Sequence, residues 1–175
     1  MHLRLLAKFS AFLLLTFLNA SFAEHPDLVN SLPGLLFKPD FKTYSGYLRG
    51  NDNGTFHIHY LFIESRNQPE NDPIIFWLNG GPGASATYGA FTELGPFFPL
   101  PSGEGLFENI YSWNQRANLL MIDSPVYVGF SFADVKIKQI KYNVENTANT
   151  NAHALKDFFA RWMFSYVGTN QPNDV

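Results

Sequence analysis

The chain has 175 residues, a formal net charge of −3 and no cysteine. A weakly acidic chain without a basic stripe is a poor partner for nucleic acid or for an anionic membrane. Lack of cysteine excludes a thiol nucleophile, a disulfide and a cysteine-ligated metal.

Arg4 and Lys8 precede an apolar run from Phe9 to Leu18, and Ser21-Phe22-Ala23 places small residues where a signal peptidase reads. Residues 1–23 are therefore expected to be a secretory signal peptide cleaved before Glu24. The run is short for a membrane span, and no later stretch is long enough, so the mature form is expected to have no membrane segment. Residues 24–175 then leave length for one domain at most. With 18 Phe, 8 Tyr and 3 Trp in the chain it has ample material for a core.

Residues 24–43, with Leu32-Pro33-Gly34 and Lys38-Pro39-Asp40, read as an arm without regular structure. Tyr44–Leu48 and Thr55–Glu64 read as two strands joined by Arg49-Gly50-Asn51-Asp52-Asn53-Gly54, an Asn-Gly hairpin signal. In the second strand Phe56, Ile58, Tyr60 and Phe62 share one face, and His57, His59, Leu61 and Ile63 the other. Asn53-Gly54-Thr55 is a glycosylation sequon in a predicted turn.

After a polar turn at 66–73, Ile74-Ile75-Phe76 reads as a buried strand of a parallel sheet. Trp77-Leu78-Asn79-Gly80-Gly81-Pro82-Gly83 ends it abruptly. Glycine permits positive φ and close approach to main-chain N–H groups, so this turn suits an anion or a developing oxyanion. It has neither a Gly-Lys-Ser/Thr ending nor a G-x-G-x-x-G spacing, which argues against a nucleotide cofactor.

A helix is expected over 84–94 and an irregular excursion over 95–110. A second buried strand spans 117–122 and ends in Asp123-Ser124-Pro125, followed by a loop through Phe132. Asn143 is the expected N-cap of an amphipathic helix over 144–164. Ala148, Ala152, Leu155, Phe159 and Trp162 or Met163 are its expected core face. Strands alternating with helices imply an α/β fold, and so few strands read as the front part of a larger domain.

Several of these stretches together resemble the serine carboxypeptidases. The resemblance is carried by Trp77 to Gly83, Glu93-Leu94-Gly95-Pro96, Tyr111-Ser112-Trp113-Asn114, Ala117-Asn118-Leu119-Leu120, and Asp123-Ser124-Pro125 with Val128-Gly129-Phe130-Ser131. Ser45-Gly46-Tyr47-Leu48 and Phe62-Ile63-Glu64-Ser65-Arg66 match the family's opening hairpin. The resemblance implies an incomplete α/β-hydrolase fold: the N-terminal hairpin, the first parallel strands and their helices. It implies release of C-terminal residues from peptides by a serine nucleophile, with a histidine base and an aspartate, and without cofactor or metal. The expected setting is the secretory pathway, ending outside the cell or in a lysosome or vacuole.

It further implies that the Gly81 N–H is one oxyanion donor. Trp77, Asn79 and Glu93, with Gly80, would bind the substrate's terminal carboxylate. An Asn amide and an indole N–H can donate directly, whereas a Glu donates only when protonated. Two facing carboxyl groups must share a proton, so binding would weaken as pH rises.

The family's elbow, Gly-Glu-Ser-Tyr-Ala-Gly, is not within these residues, so the triad is expected to be missing and the chain alone inactive. A secreted peptide-binding protein without catalysis, or an acyltransferase on the same scaffold, are the alternative readings. Gly129-Phe130-Ser131-Phe132-Ala133 imitates an elbow but reads as a structural loop. Ser85 reads as a helix cap, Asp123 as a residue ordering its loop, and His57 with His59 as a surface pair. Ala84 stands where the family usually has a bridging Cys.

Overall fold

A computed structural model describes residues 25–136, 138 and 140–167. The expected signal peptide and the polar end from 168 lie outside the described residues, as does the side chain of Met163.

Strand β1 (Thr43–Arg49) pairs antiparallel with β2 (Phe56–Ile63), Thr43 opposite Ile63 and Arg49 opposite His57. The connecting loop is closed by Asn51, whose Oδ1 accepts from Thr55 N at 2.9 Å and Phe56 N at 3.2 Å. Gly54 there takes φ +68°, which its lack of a Cβ allows. Strand β3 (Ile74–Trp77) runs parallel to β6 (Asn118–Ile122), and β6 runs antiparallel to β2. The main sheet has the order β1-β2-β6-β3, with β7 (Phe132–Ala133) paired to the start of β2.

Alternation along β2 and β6 builds two cores, one on each face. Ile58, Tyr60, Phe62, Leu120 and Ile122 pack with Ala154, Phe158 and Trp162 of helix α2 (Val144–Val167). Leu61, Ile63, Leu119 and Met121 pack with Ala86 and Ala90 of helix α1 (Ala86–Thr92), and with Leu94 and Phe97. Each fully buried Phe, Leu or Ile stabilises by roughly 1.5–3 kcal/mol, so the two-sided sheet is the main source of cohesion. A sheet with helices on both faces is the layered α/β arrangement expected.

Four expectations change. The strand at 74–77 is half-buried, and Ile74 is exposed, because β3 is an edge of the sheet among the described residues. Helix α1 is shorter than 84–94, since Ser85 caps it by accepting from Thr87 N. The excursion at 95–110 contains a small hairpin, β4 (Phe97–Pro99) with β5 (Leu106–Glu108). Its turn is closed by Leu100 N to Gly105 O and Gly103 N to Leu100 O, both 2.8 Å.

The fourth change is the buried face of α2. Thr150, Ala154, Asp157, Phe158 and Trp162 face inward, while Ala148, Ala152 and Phe159 are exposed and Leu155 is half-buried. The reason is polar. Asp157 accepts from Arg49 N at 3.0 Å and from Arg49 Nε at 3.2 Å, and also pairs with Arg161. That bond to the end of β1 turns Phe158 rather than Phe159 into the core. Asn143 caps the helix as expected, accepting from Asn146 N at 2.7 Å.

Candidate functional site

The Gly-rich turn leaves the C-terminal end of β3, where Trp77 pairs with Met121 of β6. Trp77 Nε1 donates to Asn79 Oδ1 at 2.8 Å. An indole can only donate, so the amide oxygen of Asn79 must face it. Among the described residues no acceptor meets the Asn79 NH2, and the Trp77 N–H is occupied within the protein. The indole orients Asn79.

Helix α1 approaches this pair at Gly89. A Cβ on Gly89 would lie 2.7 Å from Trp77 Nε1 and 2.9 Å from Asn79 Oδ1. Glu93 caps the helix one turn further along, its N–H donating to Gly89 O at 3.1 Å, and it is exposed. Glu93 thus lies one turn beyond Gly89, the residue of α1 that faces the Trp77–Asn79 pair. Trp113 meets Trp77 edge-on at 6.1 Å and is half exposed. Gly89 and Trp113 belong to this neighbourhood without having been singled out. A glycine persisting inside a helical pattern was the available signal.

Gly81 has φ +122° and Gly83 φ +115°, values that L side chains rarely adopt. A Cβ on Gly81 would also press on Gly83 N and Ala84 N, at 3.0 and 3.2 Å. The turn closes on itself through Ala84 N to Gly80 O at 3.2 Å. Among the described residues the Gly81 N–H meets no acceptor. Gly80 and Gly81 are exposed. A cavity of about 420 Å³ lies elsewhere, between Asn51, Val126 and the start of α2, and none of Trp77, Asn79, Gly81 or Glu93 lines it.

Asp123, at the end of β6, is a four-donor junction. Its Oδ1 accepts from Ser85 Oγ at 2.5 Å and Ala86 N at 2.8 Å. Its Oδ2 meets His59 Nδ1 at 2.9 Å and accepts from Phe130 N at 3.0 Å. Burial pushes this carboxyl upward, but the bonds from His59, Ser85 and Phe130 outweigh it and hold it below the ordinary carboxylate range. His59 Nε2 meets Ser45 Oγ at 3.0 Å.

His59 is thus buried in a Ser45–His59–Asp123 chain, while His57 stays nearer the surface beside Asp134 at 3.0 Å. The two histidines are not a surface pair. The strand pattern places both on one face but does not say that β6 delivers a carboxylate to only one of them. Ser45 lies mid-strand in a regular antiparallel ladder, without the strained strand-to-helix turn of a nucleophile elbow.

The imitation elbow is structural. Ser131 is buried, its Oγ donating to Asp123 O at 2.7 Å and accepting from His59 N at 2.8 Å. A strand, β7, follows it rather than a helix. Asn53 is exposed at the tip of the β1–β2 loop.

The family described as serine carboxypeptidase matches residues 33–168. A serine carboxypeptidase of Caenorhabditis elegans is 46% identical over 149 residues, covering 85% of this chain and 25% of its own length. The lysosomal protective protein of Mus musculus is 49% identical over 137 residues, covering 78% of this chain and 28% of its own length. The crystal structure of a prohormone-processing carboxypeptidase from Saccharomyces cerevisiae is similar with a TM-score of 0.66 at 27% identity. That similarity covers 75% of this chain and 31% of the other. The chain spans about a quarter of the length of the curated relatives it matches.

Proposed function

The chain belongs to the serine carboxypeptidase family, and from that premise we propose that its Gly-rich turn serves an enzyme that removes residues from peptide C-termini. Asn79 and Glu93, with Trp77 and Gly80 behind them, hold the substrate's terminal carboxylate. The Gly81 N–H donates to the oxyanion that forms when a serine attacks the scissile carbonyl. The Gly-Glu-Ser-Tyr-Ala-Gly elbow that would supply that serine is not within these 175 residues. No metal or cofactor is called for by this chemistry.

The observation that carries the reading is the Trp77–Asn79 bond. It occupies the Asn79 amide oxygen and leaves its NH2 as donor, beside Gly89 of α1, which lies one helical turn before Glu93. A donor-only group beside a carboxyl that can share a proton suits a carboxylate ligand. The reading at 1–23 of a signal peptide, and a relative named lysosomal protective protein, support delivery through the secretory pathway to an acidic compartment. The exposed Asn53 is a glycosylation acceptor on that route.

The test is a titration of the purified 175-residue chain with a blocked dipeptide, as free acid and as C-terminal amide. The free acid binds more tightly at acid pH, its advantage shrinks as pH rises, and Asn79→Ala removes it. Equal affinity for acid and amide would overturn the cradle. The chain alone gives no turnover. Hydrolysis that survives Ser131→Ala and Ser85→Ala, yet is blocked by a serine-reactive phosphonate, would show that the nucleophile has been misplaced.

A further inference from the structure

The turn that carries Gly81 is tied at both ends to the last residues of one strand. At its start the ladder pairs Trp77 with Met121. At its exit Asp123, two residues along from Met121, takes both the Ser85 hydroxyl and the Ala86 N–H on a single oxygen. Between these ties the turn is exposed and braced by the bond from Ala84 N to Gly80 O.

The anchor is itself held firmly. Asp123 is 1% exposed, and its second oxygen is occupied by His59 Nδ1 and the Phe130 N–H. Its own N–H donates to His59 O at 3.0 Å. The loop reaches it because Gly129 lacks a side chain: a Cβ there would lie 2.2 Å from Asp123 Oδ2. With two donors on each oxygen, the carboxylate has no freedom to rotate.

We propose that Asp123 is the positioning residue of the oxyanion turn: oriented by His59, it fixes the exit of the turn and so the direction of the Gly81 N–H. The proposal rests on the reading of Gly81 as an oxyanion donor. Such a donor acts only about 2.7–3.1 Å from the developing charge, and a misplacement of about 1 Å can cost on the order of a hundredfold in rate. A turn containing two positive-φ glycines cannot supply that precision from its own sequence. It borrows rigidity from the buried end of β6.

The decisive variant is Asp123→Asn, in the chain prepared with isotope-labelled glycine. A carboxamide offers one acceptor oxygen and one donor nitrogen, so either Ala86 N–H or Phe130 N–H is left facing a donor. The amide resonances of Gly80, Gly81 and Gly83 are expected to move and their NMR order parameters to fall from about 0.85 to below about 0.6. Gly46 in the β1–β2 hairpin stays as in the parent chain.

Ser85→Ala removes one donor, spares the buried carboxylate, and is expected to shift the same turn glycines by less. It decides the matter if Asp123→Asn does not fold. Turn glycines unmoved in the folded variants, or Gly46 loosened as much as the turn, would overturn the proposal. Loosening of the turn in a chain that shows no preference for the free-acid peptide would sink the carboxylate cradle and leave the anchoring of the turn by Asp123 standing.

Discussion

At Gly89 an absent side chain does the work of a contact. Alanine would favour the helix by about 1 kcal/mol, yet its Cβ would stand under 3 Å from both Trp77 Nε1 and Asn79 Oδ1. Both are side-chain atoms, the nearer on the indole, so the Trp77–Asn79 pair must shift together. Gly89→Ala is therefore expected to leave the melting temperature within a few degrees while the preference for a free C-terminal carboxylate falls several-fold, read by calorimetric titration against the amide. The neighbouring residues show what a motif leaves unsaid. Trp77 and Asn79 stood out in the sequence as two donors. Only their 2.8 Å bond reveals that one orients the other. Gly80 and Gly81 lie in the exposed turn after β3, and Glu93 at the exposed end of α1.

Among the elements, the β1–β2 hairpin was legible because alternation over a strand has one reading once an Asn-Gly turn sets the register, and β6 because a short apolar run stopped by turn residues reads as a buried strand. Helix α2 was legible as a helix but not in its rotation. Phe158 and Phe159 stand side by side, so an apolar count supports two faces about 100° apart. The Asp157–Arg49 bonds choose between them. Phe158→Ala is expected to cost roughly 3–5 kcal/mol, and Phe159→Ala less than about 1 kcal/mol, measured by urea unfolding. Equal costs would return the helix to its expected rotation. The β4–β5 hairpin was missed for a different reason. Each strand is only three residues long, too short for a period to register.

Across the whole molecule, Asp123 joins β6, β2, α1 and the loop leading to β7. That network makes stability depend on acid. Its carboxyl titrates lower in the folded chain than in the unfolded one. The unfolded chain therefore takes up the proton first as pH falls. The contribution is complete above the ordinary carboxylate range and is lost as pH drops through the depressed folded value. The melting temperature should decline over that acid window, and Asp123→Asn should flatten the decline, as followed by circular dichroism at a series of pH values. A depressed value also keeps the junction intact at the mild acidity proposed for the enzyme.

By itself the sequence determined the layered α/β class, the order of the strands along the chain and the family, because these follow from local periodicity, turn chemistry and motifs a few residues long. The tertiary structure decided which histidine is buried, which phenylalanine enters the core, that β3 is an edge among the described residues, and that Asn79 is aimed by Trp77. The first three depend on a partner distant in sequence: Asp123 for His59, Arg49 for Asp157, β6 for β3; the Trp77–Asn79 bond is local, but it forms only in the particular turn that follows β3. Residues remote in the chain meet only after the sheet has formed, and no local pattern records which of them will.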